Sequence, residues 1–339
     1  MPPTETMIAA AREAMIHALE LEPDDTVLVV TDPETLACGQ AFASAALRYG
    51  CDTVTHVLPA EGRPLRALPT GMGDLLAERT VVVNAISGDV REVPFRLEWL
   101  ALVESRPDLR LGHSPGIDPE MMTAGALNVD YGRMQERADT LIAAFADAAT
   151  VHITTAAGTD LVLDVEDRLV VSDLKARPGA GVNLPCGEVY CCPLETGADG
   201  TLVIDACYGS FGRVPAPLVF TLADGRVTDV TCDVANVRDC VVELLDTDDG
   251  ARTIAELGIG LNPGARLTDR MLEAEKAFRT AHLAFGSNEG MPGGLSRSRV
   301  HVDYLFMRPT LVVSTTTGRE NVVLNDGDLP GDEAARGES

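Results

Sequence analysis

The chain has 339 residues, 27 Lys and Arg against 52 Asp and Glu, and a formal net charge of −25, which makes a basic face for nucleic acid or an anionic membrane hard to build. Hydrophobic residues make up 45% and aromatics only 4%, so the core is aliphatic in an otherwise ordinary globular composition. Eight cysteines without a CxxC pair, no signal-like N-terminus and no apolar run of the ~18–20 residues a membrane span needs predict a cytoplasmic chain with free, mostly buried thiols.

In TETMIAAAREAMIHALELE, apolar residues recur at Met7, Ile8, Ala11, Met15 and Leu19, a helical spacing. TVLVVTD (26–32) reads as a buried strand, and ETLACGQAFASAALRYG as a helix stopped by Gly50. DTVTHVL and RTVVVNA (79–85) add two strands, PFRLEWLALVE a helix, and DLRLGHS leads into a Pro115-Gly116 turn. A helix over MQERADTLIAAFADA closes this part. Helices between short apolar strands predict an N-terminal α/β domain, Rossmann-like, over residues 1–147, with a doubly wound parallel sheet.

The texture then changes. VHITTAAGTDLVLDV, TLVIDACY, PLVFTLADGRVTDVTCD and PTLVVSTTTG are strand-like runs broken by turn residues, with ADGR as a hairpin signal. LTDRMLEAEKAFRTAHLAFG reads as one long helical segment among them. The expectation is a β-rich α+β metal-binding domain over 148–325 and an acidic tail over 326–339 that frays.

VHVDY (300–304) raises the chemical question. In a strand, residues two apart share a face, so His301 and Asp303 aim together while Val300 and Val302 pack behind. That suits two ligands on one metal, a catalytic dyad or a plain polar cluster. Glu188 follows a Pro-Gly turn at the mouth of an apolar strand, Glu256 ends a short helical turn before glycines, and His282 stands at a helix end. Each is a costly place for a charge unless something pairs it. Together the five form a carboxylate-rich set with imidazole nitrogens, suited to Zn, Co, Mn or Fe(II), and able to hold two ions that share a bridge.

These motifs carry a resemblance. NLPCGEV, ELGIGLNP, HLAFG and HVD, in this order, resemble the C-terminal domain of the aminopeptidase T and aminopeptidase S metallopeptidases; HSPGIDPEMM (113–122) and AAGTDLVLDV extend the likeness upstream. The resemblance implies Glu188, Glu256, His282, His301 and Asp303 as metal ligands, a peptide or small amide substrate, and a homodimer. It also shows departures. The family's tyrosine ligand, seven residues past the first histidine, is replaced by Glu289, which the glycine-rich loop is expected to turn toward solvent. The loop before His301 and the N-terminal domain are short.

The first functional expectation is therefore a divalent-metal-dependent, aminopeptidase-like hydrolase with two Zn, Co or Mn ions, in which Glu188 or Glu256 bridges metals or acts as base. The departures keep a second reading open: a mononuclear Fe(II) ring-cleaving dioxygenase similar to 2,5-dihydroxypyridine 5,6-dioxygenase, built on His282, His301 and Asp303. A third is metal or ligand binding without turnover. His113, at the carboxyl end of a predicted strand, is a candidate catalytic or substrate-binding residue. Arg297 and Arg299 are candidates for holding a substrate carboxylate, and Lys276, expected one helical turn before His282, is placed either to salt-bridge a ligand carboxylate or to face solvent.

Overall fold

The structure is a computed structural model that describes residues 2–177, 179, 181–330 and 332. In chain order its main elements are α1 (Glu5–Ala18), β1 (Thr26–Thr31), α2 (Leu36–Tyr49), β2 (Asp52–Val57), β3 (Val81–Ile86), α3 (Val93–Glu104), β4 (Arg110–Pro115), α4 (Pro119–Thr123) and α5 (Tyr131–Ala144). There follow β5 (Ala148–Thr154), β6 (Asp160–Asp164), β7 (Val171–Ser172), β8 (Val182–Asn183), β9 (Glu188–Cys191), β10 (Ala198–Ile204), β11 (Cys207–Tyr208), β12 (Gly212–Arg213), β13 (Leu218–Ala223) and β14 (Arg226–Thr231). The last are α6 (Ala235–Leu245), β15 (Ile254–Gly260), α7 (Met271–Ala274), β16 (Thr280–Gly286), β17 (His301–Met307), β18 (Thr310–Thr315) and β19 (Glu320–Leu324).

Two compact units result. The first holds Met1–Tyr131, Asp173–Cys186 and Pro263–Ala265; the second holds the remainder. The division falls at Tyr131/Gly132, where the sequence reading placed it at 147/148, because α5 groups with the second unit.

In the first unit, five parallel strands run in the order β2-β1-β3-β4-β8. The order reverses at β1, whose neighbours β2 and β3 both follow it in sequence. The valines of β1 and β3 are buried on both faces, which is why these strands read as continuous apolar runs. Leu28, Val30 and Val82 pack with Phe95, Trp99 and Val103 of α3, each such burial contributing roughly 1.5–3 kcal/mol. Gly50 ends α2 in the left-handed region at φ 109°, where a side chain would be strained.

The second unit contains two seven-stranded antiparallel sheets, β14-β13-β10-β6-β5-β18-β19 and β12-β11-β17-β16-β15-β9-β7. They meet through aromatic side chains: Phe220 of β13 lies 4.9 Å from Tyr304 of β17 and 5.8 Å from Phe285 of β16, centroid to centroid. The ADGR hairpin forms as expected, with Asp224 and Gly225 both at positive φ.

One expectation is corrected and one element is new. The long helix over 267–286 does not form: only Met271–Ala274 is helical, Arg279 turns to φ 66°, and Thr280–Gly286 is a strand buried along its whole length. Pairing on both sides, with β15 and β17, overrides the helical look of the segment. Consequently Glu256 and His282 sit on strands, and Lys276 shares no helix with His282. A helix absent from the sequence reading, α6, forms because Val237, Val241 and Leu245 recur four apart and are buried. In the described part of the tail, Asp328 pairs with Arg279 at 2.5 Å and Asp332 with Arg137 at 3.0 Å. Residues 331 and 333–339 lie outside the described residues.

Candidate metal centre

Strands β9, β15, β16 and β17 are neighbours in one sheet, and their register assembles the site. Residues two apart share a face. On one face lie Glu256, Gly258 and Gly260 of β15, His282, Ala284 and Gly286 of β16, and His301 and Asp303 of β17. Glu188 of β9 stands opposite Gly260, Gly258 opposite His282, Ala284 opposite Asp303, and Gly286 opposite His301. Glycine and alanine thus alternate with donors and leave room above the sheet. Leu257, Leu283, Phe285 and Tyr304 point to the other face, into the core.

The imidazole of His282 lies directly over Gly258. A Cβ built there would stand 2.1 Å from Cε1 and 2.2 Å from Nε2 of His282. Gly258→Ala is therefore expected to displace His282 and weaken cation binding there at least tenfold, about 1.4 kcal/mol, while the fold persists. Metal content of the purified variant and its circular dichroism check this; unchanged content would contradict the placement.

Five side chains form two donor groups, Glu188–Glu256–His282 and Glu256–His301–Asp303. Glu256 belongs to both. Its Oε1 is 3.8 Å from His282 Nε2, and its Oε2 is 3.2 Å from His301 Nε2. Glu188 Oε2 is 3.7 Å from His282 Nε2, and Asp303 Oδ1 is 3.3 Å from His301 Nε2. Ligand bonds of ~2.0–2.2 Å place two donors on one ion roughly 3–3.5 Å apart. The groups are therefore near the spacing a cation requires, and their chemistry fits a divalent ion in each.

His301 is oriented for this. Its Nδ1 lies 2.7 Å from the carbonyl oxygen of Ser287, an acceptor only, so Nδ1 carries hydrogen and the neutral ring turns the Nε2 lone pair to the carboxylates. His282, Glu188, Glu256 and Asp303 are buried, while the His301 side chain is one-third exposed (33%), opening that group to solvent.

Without a cation the group's own charges are strongly coupled. Burial works against charge on Glu256, but the facing imidazoles of His282 and His301 outweigh it and hold its carboxyl well below the usual range. Burial likewise opposes charge on His282, yet Glu256, Asp303 and Glu188 raise it to about 9. His301 is raised by Asp303 and Glu256 against the same burial, and Asp303 is lowered by His301.

Of two further neighbours of the site, Lys276 was expected to salt-bridge a ligand carboxylate or to face solvent, and it does the former, while Glu275 escaped the sequence reading. Lys276 is fully buried; its Nζ bonds Glu188 Oε1 and lies 2.7 Å from Glu275 Oε1. Burial raises the Glu275 carboxyl, partly offset by Lys276, with Asp303 adding to the rise. Glu275 carries no local motif, and the helix expected over this segment hid its proximity to the donors.

The remaining candidates are placed as follows. Glu289 is exposed and pairs with Arg297 at 3.2 Å, and Arg299 lies 3.5 Å from Asp248. Both arginines are exposed surface groups. His113 belongs to the first unit. Trp99 Nε1, a donor only, bonds Asn84 Oδ1 at 2.7 Å, which turns the Asn84 amide nitrogen to His113 Nδ1 at 3.3 Å. Burial and the charge of Arg96 lower His113 to about 3, so it stands neutral with hydrogen on Nε2. Cys186, Cys191 and Cys192 are buried, and burial raises the Cys191 and Cys192 thiols, so the cluster is packing. Among the described residues no helix is long and apolar enough to cross a membrane.

A sheet face that presents two carboxylate–imidazole groups sharing one glutamate defines a candidate two-ion metalloprotein. The family model of the thermophilic metalloproteases (M29) matches residues 131–329, and the chain belongs to that family. Aminopeptidase 2 of Geobacillus stearothermophilus is 26% identical over 164 residues, which cover 43% of this chain and 39% of that protein. SaeB of Mycolicibacterium smegmatis, whose name describes an ESX-1 scaffolding and assembly protein, is 29% identical over 246 residues, 68% of this chain. The matched region spans only 27% of SaeB. Among solved structures, AmpT from Thermus thermophilus superposes with a TM-score of 0.72, covering 96% of this chain and 98% of that one at 18% identity. The 2,5-dihydroxypyridine dioxygenase of Pseudomonas putida KT2440 gives 0.69, with 98% and 100% covered, also at 18% identity. Both likenesses speak for the fold.

Proposed function

We propose that this chain is a divalent-metal-dependent hydrolase of the aminopeptidase kind, acting on a peptide or small amide. The observation that carries the reading is the carboxylate of Glu256, which turns one oxygen to each donor group. A mononuclear site has no use for such a shared ligand. Glu188 and His282 would hold one ion, His301 and Asp303 the other, and Glu256 both. A bound divalent pair supplies Lewis acidity toward a scissile carbonyl and toward water. The protein's part is to fix the donors: Lys276 holds Glu188, Ser287 fixes the His301 tautomer, and Gly258 seats His282. Glu275 lies in neither donor group, and burial raises its carboxyl.

The dioxygenase reading needs His282, His301 and Asp303 on one ion. Here His282 falls in a different donor group from the other two, which favours hydrolysis. The test is metal analysis of anaerobically purified protein, followed by assay on a panel of aminoacyl anilides with Zn, Co or Mn. Two ions per chain and hydrolysis are expected. One iron per chain with oxygen uptake on a dihydroxypyridine would overturn the proposal, and two bound ions without turnover on any amide would reduce it to metal binding.

A further inference from the structure

We propose that Lys276 makes the two donor groups unequal, so that the first divalent cation enters the Glu256–His301–Asp303 group and the second the Glu188–Glu256–His282 group. This rests on the two-ion reading above and goes beyond it by assigning an order.

The argument is one of charge and access. Lys276 is 0% exposed and its ammonium is held against Glu188 Oε1. It therefore cancels one of the two carboxylate charges in the Glu188 group and occupies one of that carboxylate's oxygens. Glu188 then turns the other oxygen, Oε2, toward His282. Glu275 Oε1, 2.7 Å from the same ammonium, gives part of that charge back without belonging to either donor group. The other group keeps both of its carboxylates, Glu256 and Asp303, and among the described residues no Lys or Arg pairs with Asp303. A buried ammonium close to a cation site repels a divalent ion more strongly than one in water would, because the surroundings screen it poorly. Access points the same way. His301 is one-third exposed, whereas His282 is 1% exposed. The open, more negative group is the one an ion meets first.

The test uses the full-length, metal-free chain with nitrogen-15 in its histidines. Zinc is added stepwise while the ring nitrogens of His282 and His301 are followed by NMR, and calorimetry gives stoichiometry and affinities. His301 should respond during the first equivalent and His282 during the second, with dissociation constants at least tenfold apart. In Lys276→Met the weaker site should tighten tenfold or more, and the tighter one should stay within about twofold. His282 responding first, or both together, would overturn the assignment, as would an unchanged ratio of affinities in the variant. Should Lys276→Met fail to fold by circular dichroism, the order of response in the unaltered chain decides alone. Saturation at a single ion would instead sink the two-ion reading itself, and stoichiometry separates that failure from the others.

Discussion

Glu256→Gln should abolish tight binding of both ions at once and lower hydrolysis on the order of a thousandfold or more, while leaving the sheet intact. The physical reason is the division of labour within one carboxylate. Oε1 faces His282 and Oε2 faces His301, so the substitution touches both donor groups. Glutamine keeps the length but replaces one oxygen by an amide nitrogen that donates and cannot ligate. One group loses its shared donor outright, and the other retains a neutral, weaker one. Ligands of this kind hold several kcal/mol of transition-state stabilisation, and each 1.36 kcal/mol is tenfold in rate. By contrast, His301→Ala strips one group only. Metal content of the two variants separates the cases: near zero ions for Glu256→Gln, near one for His301→Ala. If Glu256→Gln retained two ions, the shared-ligand geometry would be wrong.

Chelation should turn a stability that varies little with pH into one that falls steeply in mild alkali. In the metal-free chain His282 is raised from 6.5 to about 9 by its carboxylates. The sign follows from proton binding. Between those two values the folded state holds a proton that the unfolded state has released, so stability is fully present below about 6.5 and is lost as pH rises through about 9. The size is roughly 3 kcal/mol for the coupled cluster, at 1.36 kcal/mol per pH unit. Cation affinity runs the other way. An ion must displace that proton, so its affinity should rise as pH rises toward 9. Denaturant melts at several pH values would show stability falling with pH for the chelated chain and a nearly flat line for the zinc-loaded one. A chelated chain with flat stability from pH 6 to pH 9 would mean that His282 is not held charged by its neighbours.

Much of the first unit was legible because its local and global preferences agree. The valine runs of β1 and β3 are buried on both faces, and α2 has its glycine stop at Gly50. The donor residues were legible for another reason: a charge flanked by apolar and small residues needs a partner. Their geometry was not. HLAFG was read at helical period, yet His282, Ala284 and Gly286 alternate with Leu283 and Phe285 at period two, as do Glu256, Gly258 and Gly260 with Leu257 and Ile259. Seen at that period, both segments are strands that put donors and small residues on one face. Lys276 and Glu275 do not follow from that period, although Lys276 was named as a possible partner of a ligand carboxylate. They reach the site by the path of an irregular segment between β15 and β16, which no local spacing encodes.

The register that builds the centre also bears on how the chain matures. Glu188 lies in β9 and Asp303 in β17, with Glu256 and His282 on the strands between, so the donors become neighbours only through long-range antiparallel pairings. Such pairings form late and slowly, because their loop closure must precede any reward. While the chain is being made, Glu188 emerges well before β17 exists, and an ion that met it then would find no second group to share. If the site holds two ions, their capture therefore belongs to the finished sheet. On the two-ion reading, zinc added to the refolded metal-free chain should bind at once, whereas zinc present during refolding should not speed it.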